Sequence, residues 1–211
     1  MSQPKFESLS DRMRYYLRDA TAWIGRTVGA TGVHPNVITV AGTLMVGVGG
    51  ALIGAGHFVI AAVVLIFSLA MDAVDGAVAR ETGKKSTFGG VLDSSLDRYA
   101  DSFILMGFAA YFAYNGQPEG VLVAFGALVG AQMVSYVRAR AEGAGLECKV
   151  GLFTRFERVI VIIATLVTGW LIPGMILLAL GTHFTAFQRL YRSWQEARIL
   201  DAHVKDQELA E

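Results

Sequence analysis

Long apolar runs alternate along this chain with short polar breaks that carry glycine or proline. Six runs are long enough to be read as helices crossing about 30 Å of hydrocarbon: Val37–Ala55, Phe58–Val78, Gly90–Tyr114, Val121–Ala141, Val159–Leu171 and Met175–Leu190. The fifth is short, so its helix is expected to reach back towards Arg155. The breaks AGH, YNGQPEG and LIPG predict tight turns. Ahead of Pro35, Tyr, Trp and Leu are mixed with Arg, a pattern that predicts an amphipathic helix lying on the membrane surface. The predicted fold is an all-α integral membrane protein with six transmembrane helices plus an N-terminal amphipathic interfacial helix. Residues 1–34 form the juxtamembrane segment, 35–198 the transmembrane domain and 199–211 a solvated C-terminal tail.

Composition supports that reading. The chain is 54% hydrophobic and only 17% charged, with a mean hydropathy of +0.47, which is too apolar for an ordinary soluble domain. Every Lys and Arg except Arg98 falls before the first run, around the end of an even-numbered run or the connection that follows it, or at the end of the chain. The positive-inside rule then places both termini in the cytoplasm, in a multi-pass protein of the cell membrane. The net charge is zero, and no nucleic-acid partner is expected. A single cysteine, Cys148, excludes an internal disulfide framework and a multi-cysteine metal site. The stretch MSQPKFESLSDRMRYYLRDA lacks the apolar core of a signal peptide.

Four acids interrupt this apolar pattern. Asp72 and Asp75 lie near the end of the second run, and Asp93 and Asp97 open the third. Spacings of three and four put each pair on one helix face. A charge at the bilayer centre costs about 2.5–3.5 kcal/mol, so four acids at the ends of adjacent spans need compensation. Ion pairs with Arg80 and Arg98 would leave two of them uncompensated. Carboxylate oxygens suit hard cations such as Mg²⁺ or Mn²⁺, and four could hold two ions of the kind that clamp both oxygens in a phosphoryl transfer. Gly76 and Ala79 share the face of Asp72 and Asp75, Gly89 precedes Asp93 by one turn, and Arg80 adds a planar fork for phosphate oxygens. Asp101 continues the face one turn deeper, where reaching the site and pairing with a neighbouring helix are both open to it. A cation transporter would also use buried acids, but it predicts them nearer the midplane and leaves the glycine, alanine and arginine spacing unexplained.

Taken together, Asp72, Asp75, Gly76, Ala79, Arg80, Gly89, Asp93 and Asp97 resemble the signature of the CDP-alcohol phosphatidyltransferases, with all eight fixed positions filled over 26 residues. The resemblance implies a metal-dependent membrane enzyme in which an acceptor hydroxyl attacks the β-phosphorus of CDP-diacylglycerol and CMP leaves. It further implies that Asp72, Asp75 and Asp93 hold metal, and that Asp97 is the general base within reach of a metal. By the same resemblance Gly76, Arg80 and Ser86, with Asn36 and Thr39 of the HPNVIT stretch, contact the CDP group. The family pattern implies a homodimer among membrane lipids.

The acceptor is read from the stretch SYVRARAEGAGLECKVGLFTRFERVIVI. Arg155 and Arg158 share a face if a helix starts there, whereas Arg138 and Arg140 point about 200° apart. Positive-inside bias alone would also gather basic residues here. The stretch is similar to the bacterial phosphatidylinositol-phosphate synthases, which implies inositol phosphate as acceptor. In that pattern Ser135, Arg138, Arg155, Arg158 and Arg189 bind the acceptor's phosphate. Glycerol 3-phosphate is the alternative acceptor for the same chemistry.

Overall fold

The structure is a computed structural model that describes residues 18–208, with side chains from Ala22 to Asp201. Expectations for residues 1–17, which make up half of the juxtamembrane segment, and for residues 209–211 lie outside the described residues. Among those described there are seven α-helices and no strand: α1 (Arg18–Gly29), α2 (Pro35–Gly54), α3 (Phe58–Glu81), α4 (Thr87–Tyr114), α5 (Pro118–Gly143), α6 (Arg155–Thr168) and α7 (Leu171–Glu208).

The helix boundaries follow local chemistry. Pro35 and Pro118 sit at the first position of α2 and α5, where a missing N–H costs no intrahelical bond. Thr154 and Glu157 bond to each other across the first turn of α6, which starts at Arg155 as the short fifth run required. Gly169 ends α6 in the left-handed conformation (φ 74°) and returns its N–H to the Thr165 carbonyl at 3.0 Å. This corrects one predicted turn. The chain breaks at Gly169-Trp170, and LIPG opens α7 instead, because proline is tolerated in a first helical turn. The segment from residue 199, read as a solvated tail, continues α7 as helix to Glu208.

Among the described residues, four helices are long and apolar enough to cross a membrane: Pro35–Gly54, Phe58–Glu81, Pro118–Gly143 and the Leu171–Asp201 part of α7. Two of the six expected spans fall short, each for its own reason. α4 has the length, but Asp93, Asp97 and Arg98 occupy its first half and Asp101 its middle. α6 has 14 residues, about 21 Å of helix. Large apolar side chains such as Leu44, Phe67, Leu122, Phe125, Leu180 and Phe187 point outward, which suits hydrocarbon and would be costly in water.

The chain forms two compact units. The first comprises the described residues through Leu52 together with Val59–Ile104; the second comprises Ile53–Phe58 and the chain from Leu105 onward. In the first unit, α2 packs through small residues on two neighbours. Gly42 and Gly49 face Met71 and Leu65 of α3, and the Ser68 hydroxyl donates to the Gly42 carbonyl at 2.9 Å. Gly47 lies on the Phe103 ring of α4, and a Cβ on Gly50 would run into the Phe103 carbonyl. The glycines of the first run are therefore packing residues, as close helix approach in lipid requires. In the second unit α5 and α7 pack over much of their length, with Thr182, Thr185, Met175 and Leu178 fully buried. The 144–154 connection is tied down on α7. The Glu147 N–H donates to Glu196 at 2.9 Å, and the Phe153 N–H to the Thr185 hydroxyl at 2.9 Å.

Candidate active site

The acids converge, and three of them do so closely. Asp72 and Asp75, near the end of α3, meet Asp93, near the start of α4, with one carboxylate oxygen of each within 4.8 Å of the others. The i,i+3 spacing puts the first two on one face of α3, and the short connection through Gly83–Ser86 returns α4 alongside. Asp75 is buried and its Oδ2 has no hydrogen-bond partner, while Asp72 and Asp93 are half-buried. Three like-charged carboxylates at this spacing, one of them buried with an unsatisfied oxygen, repel each other unless a cation neutralises them. Oxygen-only donors of this kind fit a hard divalent metal. Asp97, one turn further along α4, is half-buried and does not belong to that close trio.

The residues expected to contact the CDP group gather around the same helix ends. The Ser86 hydroxyl accepts the Gly89 N–H at 2.9 Å and so caps α4, a task the sequence reading did not assign to it, although serine ahead of a helical run is its visible signal. Asn36, at the start of α2, has its Oδ1 3.4 Å from where a Gly89 Cβ would stand. Thr39 faces the Asp75 carboxylate, and its hydroxyl lies 3.1 Å from the Pro35 carbonyl. Arg80 is exposed and folds back along α3, with Nη1 3.3 Å from where a Cβ on Gly76 would be. The absent side chain at Gly76 is the room that this guanidinium occupies.

The expected acceptor residues all belong to the second unit, and the structure gives most of them partners in the protein. Arg189 is buried on α7. Its Nε donates to the Val150 carbonyl at 2.8 Å and its Nη1 to the Val134 carbonyl at 2.7 Å, which braces the connection and α5 together. Arg158 is buried on α6 and donates to the Phe153 carbonyl at 3.3 Å. Arg155 stands half-buried at the first position of α6, and Ser135 is half-buried on α5. Arg138 is exposed and pairs with Glu142 one turn on at 2.8 Å, a partner absent from the sequence reading although the i,i+4 spacing displays it. Arg155 and Arg158 crowd the positive end of the α6 dipole, an arrangement that favours an anion.

Comparison with known proteins agrees with this geometry. Residues 32–187 match the profile of the family described as CDP-alcohol phosphatidyltransferase. The chain is 40% identical over 167 residues to the archaetidylinositol phosphate synthase of Methanothermobacter thermautotrophicus, covering 76% of this chain and 83% of that one. The crystal structure of Mycobacterium tuberculosis phosphatidylinositol phosphate synthase with CDP-diacylglycerol bound superposes with a TM-score of 0.77 at 34% identity, covering 82% of this chain and 93% of that one. A second structure of that enzyme, in complex with manganese and citrate, gives a TM-score of 0.77 at 33% identity over 82% and 88%.

Proposed function

The chain belongs to the CDP-alcohol phosphatidyltransferase family, and on that footing we propose that it transfers the phosphatidyl group of CDP-diacylglycerol to inositol phosphate, releasing CMP. The observation that carries the reading is the trio Asp72, Asp75 and Asp93, with its buried unsatisfied oxygen. The relatives' names agree on inositol phosphate as acceptor, and the CDP-diacylglycerol complex of the mycobacterial enzyme supports that donor.

In this reading Asp72, Asp75 and Asp93 hold Mg²⁺ or Mn²⁺, two ions in all, with Asp97 within reach of one. When bound, the metal neutralises the pyrophosphate and the leaving CMP. Asp97 accepts the proton of the acceptor hydroxyl, whose oxygen then attacks the β-phosphorus as the bond to CMP breaks. Arg80 grips phosphate oxygens of the donor from the space over Gly76, and Asn36, Thr39 and Ser86 line the CDP group. Ser135, Arg138, Arg155, Arg158 and Arg189 bind the acceptor's phosphate, aided by the α6 N-terminus. The 35–198 domain crosses the cell membrane six times, with α1 on the cytoplasmic surface and both termini and the site facing the cytoplasm, and the protein works as a homodimer.

The test is a competition assay on the purified protein with CDP-diacylglycerol and divalent metal. CMP release is expected to need both the metal and inositol phosphate. Preference for glycerol 3-phosphate would overturn the acceptor, and metal-independent release would overturn the site.

A further inference from the structure

α1 is more than a membrane-surface helix, because it is seated tightly against α3. Gly25 and Gly29 lie four residues apart on one face of α1. A Cβ on Gly25 would stand 2.8 Å from the Ala77 carbonyl carbon and 2.9 Å from its oxygen. A Cβ on Gly29 would stand 2.6 Å from Thr82 Cγ2 and 3.9 Å from Val78. Arg26 adds an ion pair to Glu81 at 3.6 Å. Ala77 and Val78 are fully buried, while Trp23, on the other side of α1, is exposed. At about 100° per residue, Ala77 and Glu81 lie on the side of α3 away from Asp72, Gly76 and Ala79, whereas Val78 and Thr82 follow Asp75 at i+3 and i+7 along its own face. α1 therefore packs against the stretch of α3 that immediately follows the two acids it contributes, partly along the face of Asp75.

We propose that Gly25 and Gly29 are positioning residues: through this backbone-close contact α1 holds the end of α3 so that Asp72 and Asp75 stay in register with Asp93. The inference rests on the reading of the acid trio as a metal site. Its physical basis is the tolerance of such a site. A carboxylate displaced by a few tenths of an ångström loses coordination geometry, and residues behind the ligands typically change metal affinity by about 10–100-fold. Carboxylate oxygens that repel each other without the cation need backing that the trio itself cannot supply.

Thr82 allows the contact to be tested from both sides. Gly29→Ala creates the clash with Thr82 Cγ2, and Thr82→Ser deletes that methyl while keeping the hydroxyl that donates to the Val78 carbonyl at 2.7 Å. The readout is Mn²⁺ affinity of the purified full chain by electron paramagnetic resonance, without nucleotide or acceptor, alongside a thermal melt. Gly29→Ala is expected to weaken Mn²⁺ binding by about tenfold, with the melt little changed. Thr82→Ser alone is expected to bind as wild type, and Gly29→Ala with Thr82→Ser to return to within about twofold of it. Unchanged Mn²⁺ affinity in Gly29→Ala, or failure of the second substitution to restore it, overturns the positioning role. A wild-type protein that binds no Mn²⁺ overturns the metal-site reading itself, a different result from either.

Discussion

The two regions assigned to the chemistry are built on opposite principles. In the first unit, three acids of one sign converge and leave a buried oxygen without a partner. In the second, the basic residues are dispersed, and three of the arginines are turned to acceptors that the protein supplies. Arg189 takes the Val134 and Val150 carbonyls, Arg158 the Phe153 carbonyl, and Arg138 the Glu142 carboxylate. A cluster with unmet electrostatic demand is waiting for a ligand. A cluster whose donors are partly in use is also a brace, and a ligand must take the N–H groups that remain, the buried Arg158 Nε among them, or displace a carbonyl. Arginine can do both, since it carries five donors in a rigid fork. The difference teaches that substitutions in the first region should damage chemistry selectively, while those in the second should mix chemistry with folding.

The sharpest way to break that contrast is in the acid trio. Asn at Asp72, Asp75 or Asp93 is expected to lower turnover by at least about 100-fold, because metal stabilisation of a phosphoryl transition state is worth several kcal/mol. Mn²⁺ binding should fall in parallel and the thermal midpoint should hold or rise, since one repelling charge is gone. A variant that melts early with its metal affinity intact would erase the distinction between the regions.

Asp97→Asn separates roles inside the first region. Lying outside the close trio, it is expected to cost about 100-fold in rate, at the low end for a lost general base. Binding of CDP-diacylglycerol and Mn²⁺ should stay close to wild type. Loss of Mn²⁺ affinity equal to that of Asp93→Asn would make Asp97 chiefly a ligand.

Arg189→Gln probes the double role of the second region. Charge-assisted bonds contribute about 1.5–3 kcal/mol each, so KM for inositol phosphate is expected to rise by about tenfold and the melting temperature to drop. Arg189→Lys should recover part of the KM but not the melting temperature, because one ammonium cannot reproduce the fork across two carbonyls. A pure KM effect with an unchanged melt would show that the brace matters less than its geometry implies.

The smallest effect is expected at Arg138. Its exposed i,i+4 pair with Glu142 is worth only about 0.3–0.5 kcal/mol, so Arg138→Gln should leave the melt unchanged and raise KM for the acceptor by about two- to threefold. Glu142→Gln frees Arg138 and should lower that KM slightly. Equal and large KM effects at Arg138 and Arg189 would make the region a simple anion pocket.

Much of this was legible along the chain. Helix existence followed from run length, and the α6 start at Arg155 from the shortness of the fifth run. The packing role of Gly42, Gly47, Gly49 and Gly50 followed from small residues within an apolar span. The convergence of Asp72, Asp75 and Asp93 followed from helical spacing and a short connection. The α6–α7 break was misplaced because LIPG and Gly169 compete as punctuation. Either can end a helix locally, and the left-handed cap at Gly169 with proline in the next first turn satisfies both.

What the sequence determined by itself is therefore what depends on neighbours within a turn or two: the seven helices, the shared faces of the acids and the family signature. Tertiary structure alone decided that three of the four acids form the close trio, that Arg189 reaches carbonyls 39 and 55 residues away, and that α1 packs against α3 at Ala77 and Thr82. The physical reason is range. Helical periodicity is written by residues three and four apart, whereas the partner of a buried donor or the seat of a glycine is chosen by whichever distant backbone the packed helices bring within about 3 Å.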